Sequence, residues 1–137
     1  MTINFEHVLI KRKLLIVDDM DAMRSIETGS LKSAGFRQVY AENNGRKALQ
    51  RLQARDIDLI VCDWDMPEMT GLELLQAVRA DKKLKHTIFI MVTASDDAPR
   101  IKQAIASGVN DYIIKPFQPE QLNYRVMKAL RKLEGVK

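Results

Sequence analysis

Four short apolar runs constrain this chain more than any other feature: Leu14–Val17, Leu59–Cys62, Ile88–Val92 and Tyr112–Ile114. They are rich in β-branched residues and nearly continuous rather than alternating, so both faces of each must be buried. Parallel strands covered by helices on both sides meet that demand. A fifth segment, Gln38–Glu42, has the mixed polarity of a sheet edge.

The stretches between the runs carry helical spacing and terminal signals. Thr70-Gly-Leu-Glu73 predicts a capping box, in which the threonine hydroxyl takes a free backbone N–H and Glu73 reaches back; Leu72, Leu75 and Val78 follow as the buried stripe. Asp97 with Pro99 opens another helix, Ile101 and Ile105 pointing inward and Gly108 stopping it. Pro119 and Glu120 suit the first turn of the last helix, whose apolar face is Leu122, Val126, Leu130 and Leu133. The first helix of the domain runs from about Asp21 to Ala34 and ends at Gly35; Gly29 inside it costs about 1 kcal/mol relative to alanine, and the sequence gives no reason for it. Five rounds of strand then helix call for a parallel sheet with helices on both faces and right-handed crossovers. The domain is expected over residues 13–134, with residues 1–12, including Ile3, Phe5 and Val8–Ile10, as a lead of undefined structure.

The chain's 137 residues fit one such domain. Its one cysteine, Cys62, cannot form an internal disulfide, and no secretory signal or long apolar run is present, so a reduced cytoplasmic setting without membrane insertion is expected. The net charge of +4 is spread over Lys11–Lys13, Lys82, Lys83, Lys85 and the last helix with Arg125, Lys128, Arg131 and Lys132. Aromatic residues are too few, at 6%, to supply a stacking surface beside those charges, and direct nucleic-acid binding is not expected. His7 and His86 lack metal-ligand spacing; Trp64 and Cys62 read as packing residues.

In a parallel sheet all strands end at one edge, and ligands bind outside those carboxyl ends where the strand order reverses. The residues that close the strands are therefore read together: Asp18-Asp19, Asp63, Thr93 and Lys115-Pro116. Singly each is ordinary, as a helix cap, a strand-end hydroxyl or a surface cation. Their conjunction is not. Three carboxylates brought together repel, and a divalent cation with hard oxygen ligands such as Mg²⁺ resolves the repulsion. Lys115 adds a positive charge and Thr93 a hydroxyl, the groups that an incoming phosphoryl oxygen needs. An aspartate in that setting can act as nucleophile and form an acyl phosphate.

The same residues carry a resemblance. The stretch from about Lys13 to Leu133 resembles the receiver domain of bacterial response regulators, most closely the CheY-type chemotaxis regulators. Its marks are Leu-Leu-Ile-Val-Asp18-Asp19, Ile-Val-Cys-Asp63-Trp-Asp-Met-Pro67-Glu-Met-Thr-Gly71-Leu-Glu-Leu-Leu, Met-Val-Thr93-Ala94-Ser and Tyr112-Ile-Ile-Lys115-Pro116-Phe. The resemblance implies a flavodoxin-like, doubly wound α/β fold with five parallel strands in the order 2-1-3-4-5. It implies Asp63 as phosphoacceptor, with Asp18 and Asp19 holding Mg²⁺ directly or through water and the backbone carbonyl of Asp65 as a further ligand. Thr93 and Lys115 would bind the phosphoryl oxygens, and Lys115–Pro116 would be a cis peptide. It also implies a switch in which Thr93 moves toward the phosphoryl group and Tyr112 turns inward. That movement alters the face built by the helix from Asp97, the strand at Tyr112 and the last helix. A histidine kinase or phosphotransfer protein would supply the phosphoryl group, and a downstream protein would read the face. Self-phosphorylation from a phosphodonor and self-dephosphorylation are the only chemistry expected.

Some positions depart from the chemotaxis pattern. Asp65 and Ser95, two residues past Asp63 and Thr93, can border the path of an attacking water, and Asn110-Asp111 stands where small residues are usual. After Lys115 one helix remains and no output domain is expected, so a partner supplies the output or the receiver is excised from a larger regulator. A motor switch and a relay shuttle both stay open. A haloacid-dehalogenase phosphatase shares the Asp63-Trp-Asp65 start but requires Thr or Val where Pro67 stands. A flavodoxin requires a hydroxyl- and glycine-rich phosphate loop where Asp18-Asp19-Met20-Asp21 would repel the flavin phosphate. The third rival is a receiver-like scaffold that works without phosphorylation.

Overall fold

A computed structural model describes residues 5–94 and 96–135. The apolar runs become β1 (Lys13–Val17), β3 (Leu59–Asp63), β4 (Ile88–Thr93) and β5 (Asp111–Ile114), and the edge segment becomes β2 (Gln38–Glu42). All pairings are parallel, in the order β2-β1-β3-β4-β5. The register sets Leu14 opposite Leu59, Leu59 opposite Ile88, and Ile90 opposite Asp111, so the carboxyl ends of β1, β3 and β4 share one rim.

Alternate residues of the strands feed two cores. On one face Leu15, Val17, Ile60, Cys62, Phe89 and Met91 pack with Ala48 and Leu52 of α3 (Gly45–Ala54), Leu74, Leu75 and Val78 of α4 (Gly71–Ala80) and Ala104 of α5 (Ala98–Ala106). On the other Leu14, Ile16, Val61, Ile90 and Ile113 meet Leu31 of α2 (Asp21–Ser33) and Leu122, Val126 and Leu130 of α6 (Pro119–Leu133). Both Thr70 and Asp97 cap as expected, Thr70 with Glu73 in a full capping box. Gly35 and Gly108 take the left-handed backbone, φ 108° and 91°, that ends α2 and α5.

Three expected core positions are less buried than their spacing predicts. In α4 the buried stripe includes Leu74, and Leu72 is only half-buried; in α5 Ala104 points inward and Ile105 is 66% exposed. Leu133, the last residue of α6, is 46% exposed. A side chain at Gly29 would meet nothing within 4 Å, so packing does not account for that glycine.

The lead does form an element, α1 (Phe5–Lys11). Its seven residues are too few to show periodicity, but Val8 is fully buried in the second core. The Leu9 and Ile10 carbonyls accept from Arg37 N and Gln38 Nε2, which ties α1 to the start of β2. Arg12 joins Asp58 (3.1 Å) and Glu134 (3.0 Å), so both ends of the described chain meet beneath the sheet, away from the acidic rim. His7 lies 3.5 Å from Glu134 in the same knot.

Candidate functional site

The rim is built from backbone turns that follow strands. Asp18 leaves β1 with its N–H still bonded to Glu42 O (3.2 Å), and its Oδ1 accepts from Met20 N (2.9 Å), which turns the carboxyl over the sheet end. Asp18 is fully buried, Asp63 is 5% exposed, and Asp19 faces solvent. One carboxylate oxygen from each of the three lies within 4.8 Å of the others.

Lys115 enters from the end of β5. Its N–H bonds to Thr93 O (2.8 Å), the Lys115–Pro116 peptide is cis, and its Nζ lies 3.3 Å from Asp63 Oδ1 and 3.8 Å from Asp18 Oδ2. Thr93, the last residue of β4, is fully buried, and its side chain is hydrogen-bonded to the Tyr112 hydroxyl. Tyr112 is half-buried, and that burial raises its pKa despite the Thr93 bond. Thus Asp18, Asp19, Asp63 and Lys115 gather at one point, with the Thr93–Tyr112 pair on the neighbouring strands.

Asp65 is brought near by sequence, but its side chain is engaged elsewhere. Arg100, in the first turn of α5, holds that carboxylate with two nitrogens at 3.1 and 3.3 Å and lies 4.9 Å over the Trp64 ring. Trp64 is otherwise packed, at 5% exposure, as expected. Asn110 and Asp111 stand at the far end of β5: Asn110 Oδ1 accepts from Phe89 N and Arg79, and Asp111 Oδ1 from Arg125 (2.6 Å). Asn110 is therefore a strand fastener, whereas Asp111 ties β5 to α6. Ser95 lies outside the described residues.

Charge in the pocket is unbalanced. Burial raises the Asp63 pKa, Lys115 opposes the shift, and Asp18 adds to it. Cys62 behind them is pushed well above the usual thiol range by burial and then by Asp63 and Asp18, which makes it a packing residue rather than a nucleophile. One buried carboxyl escapes a reading of strand ends. Glu27, on α2, is 2% exposed, and burial first, then the adjoining Asp18 carboxyl, lifts its pKa to about 9. Its spacing was the available signal, since Met23, Glu27 and Leu31 recur at four-residue intervals on one helix face. At Gly71 a Cβ would run into Asp63 O and the Trp64 backbone, so α4 starts hard against the Asp63 carbonyl.

The donor set fits a hard divalent cation. Three carboxylate oxygens converge, among the described residues only Lys115 compensates them directly, and Asp18 Oδ2 is buried with no hydrogen-bond partner there. A pocket of this kind also meets the requirements of phosphoryl transfer: a partly buried carboxylate nucleophile beside a fixed ammonium.

Comparison with known proteins agrees with this geometry. Residues 14–127 match the response regulator receiver domain model. The chemotaxis protein CheY of Pseudomonas aeruginosa is 42% identical over 123 residues, which cover 90% of this chain and 99% of that protein. The chemotaxis response regulator CheY4 of Vibrio cholerae superposes with a TM-score of 0.80 at 33% identity, covering 85% of this chain and 97% of that one. A CheY-like receiver domain protein from Methanospirillum hungatei gives 0.84 at 26% identity, covering 90% and 97%. With the expected strand order, the acidic rim and the matching relatives in agreement, the chain belongs to the receiver domain family of response regulators.

Proposed function

We propose that this protein takes a phosphoryl group from a histidine kinase or phosphotransfer protein onto Asp63, with Mg²⁺, and signals in the cytoplasm through the face formed by α5, β5 and α6. The observation that carries the proposal is the position of Asp63: nearly buried, 3.3 Å from Lys115, and within one cluster with Asp18 and Asp19. Asp18, Asp19 and Asp63 would hold the cation together with the Asp65 carbonyl. When bound, Mg²⁺ neutralises charge on the transferring phosphoryl oxygens. An Asp63 carboxylate oxygen attacks phosphorus, and the bond from phosphorus to the donor's imidazole nitrogen breaks, its electron pair remaining on the imidazole. Lys115 follows the oxygens. Water, attacking later, returns the free carboxylate and phosphate.

The product carries about two negative charges on a residue that held one. Thr93 is placed to respond by exchanging its bond with Tyr112 for one to a phosphoryl oxygen, which frees Tyr112 to repack. The proposed reading face has the chemistry of a docking surface. Of the six large apolar residues exposed among the described residues, Ile105, Ile114, Tyr124 and Leu133 belong to α5, β5 and α6. The pathway served, a flagellar switch or a relay, is set by the partner of that face.

The test uses Trp64, next to the acceptor. Mg²⁺ followed by acetyl phosphate or beryllofluoride should change its fluorescence in the wild-type protein, and the phosphodonor step should vanish in Asp63→Asn. Uptake of stoichiometric acid-labile phosphate by Asp63→Asn would remove Asp63 as acceptor. Silence in both proteins with the fold intact would favour a scaffold that works without phosphorylation.

A further inference from the structure

Asp65 brings a further carboxylate to the loop that follows Asp63, and a guanidinium claims it. The two aspartates are two residues apart, so at most about 7 Å of backbone separates them, less than a Debye length at ordinary ionic strength. Arg100, in the first turn of α5, meets Asp65 with a two-pronged fork: Nη2 lies 3.1 Å from Oδ1, and Nη1 donates to Oδ2 at 3.3 Å. The fork is held from two other sides. Its central carbon lies 4.9 Å over the centre of the packed Trp64 ring, and the Arg100 backbone N–H donates to the Asp97 carboxylate that caps α5 (2.8 Å). With side chains 33% and 58% exposed, an ion pair of this kind adds little to stability. What it fixes is where a negative charge stands beside Asp63.

We propose that Arg100 is a positioning residue of the phosphoacceptor site: it holds the Asp65 carboxylate toward α5 and cancels its charge, so that an anionic phosphodonor approaches Asp63 past three carboxylates instead of four. The inference rests on the reading of Asp63 as phosphoacceptor. Lys115 is already engaged with Asp63 and Asp18, and among the described residues Arg100 alone stands within ion-pair distance of Asp65. Without the fork, the Asp65 carboxylate turns freely about its side-chain bonds, repels an incoming anion and attracts a cation. Loss of Arg100 therefore moves two ligands of opposite sign in opposite directions, which a mere disturbance of the loop does not do.

The experiment uses the full chain as wild type, Arg100→Gln, Asp65→Asn and the double variant. Initial uptake from acetyl phosphate at saturating Mg²⁺ is timed by intact-protein mass, and Mg²⁺ affinity without donor is measured by calorimetry. Arg100→Gln should take up the phosphoryl group about 3-fold more slowly than wild type at low ionic strength and bind Mg²⁺ about 2-fold more tightly. The rate difference should close at roughly 1 M salt, where the Debye length falls to about 3 Å. Asp65→Asn keeps the backbone carbonyl and removes the charge, so adding Arg100→Gln to it should change neither reading. A slower rate accompanied by weaker Mg²⁺ binding marks a disturbed loop and overturns the proposal. A loss of rate that persists beside Asp65→Asn overturns the route through Asp65. Wild-type uptake that is unchanged in Arg100→Gln removes this inference alone, whereas a wild-type protein that takes up no phosphate overturns the acceptor reading and this inference together.

Discussion

Lys115 Nζ stands 3.3 Å from Asp63 Oδ1 while remaining 3.8 Å from Asp18 Oδ2, so a single ammonium balances two buried carboxylates. Removing one member of a buried ion pair costs roughly 3–5 kcal/mol because the partner is left uncompensated. Lys115→Met should therefore lose about 3 kcal/mol of stability in EDTA, toward the lower end of that range because Asp19 opens the site to water. Mg²⁺ should restore much of the loss by replacing the missing charge. Urea denaturation with and without Mg²⁺ checks both statements; equal stability of variant and wild type in EDTA would show that Asp63 and Asp18 are already neutralised by other means.

Glu27 gives the protein a pH dependence of definite sign. Its pKa is about 9 in the folded state against 4.5 as the ordinary value. Below the ordinary value both folded and unfolded chains hold the proton, and the stability is intact. As the pH rises from there toward 9, the unfolded chain ionises and the folded one does not, so stability falls by about 1.4 kcal/mol per pH unit. Glu27→Gln lacks this loss. In EDTA it should be more stable than wild type by an amount that grows with pH, on the order of 3 kcal/mol near neutrality. Asp63 is raised too and contributes in the same direction, but it is common to both proteins, so the difference between them isolates Glu27. A difference that stays flat between about pH 5 and pH 8 would mean that the Glu27 carboxyl is not held protonated by its surroundings.

How far the molecule could be read in advance depended on whether a position obeys a local rule. The strands β1, β3 and β4 were legible because they are buried on both faces, whereas β5, expected to be buried likewise, keeps Tyr112 half-buried and Ile114 exposed. The strand-end residues followed from topology, since parallel strands deliver Asp18, Asp63 and Thr93 to one edge whatever the loops do. Helix faces were less certain: α5 carries isoleucines at 101 and 105, yet the fully buried position is Ala104, and Ile105 faces solvent. Glu27 was missed because strand ends draw attention to carboxylates in loops, whereas this one arrives from the middle of a helix and is recognisable only by sharing a face with Leu31. Arg100 was missed because its partners, Asp65 and Trp64, lie 35 and 36 residues away in sequence. Pairs of that kind leave no local pattern.

The amino-terminal helix was illegible for a different reason, and it yields the last prediction. A seven-residue helix is too short to be stable alone, so α1 exists only through what it packs against. Val8 is fully buried in the core shared with α2 and α6, and Leu9 presses on Gly35, where a Cβ would come within 3.2 Å of Leu9 Cδ1. The Leu9 and Ile10 carbonyls meanwhile accept the first donors of the edge strand β2. Val8→Ala should therefore cost about 1–2 kcal/mol of stability and speed hydrogen exchange at the Arg37 amide, while Lys11→Ala, on the exposed side, should change stability by less than about 0.5 kcal/mol. The effect should stop short of the acidic rim, because α1 and the Arg12–Asp58–Glu134 knot lie at the opposite end of the sheet. Mg²⁺ affinity of Val8→Ala should equal that of wild type; a weakened affinity would mean that α1 is coupled to the pocket through α2, the helix that carries Glu27.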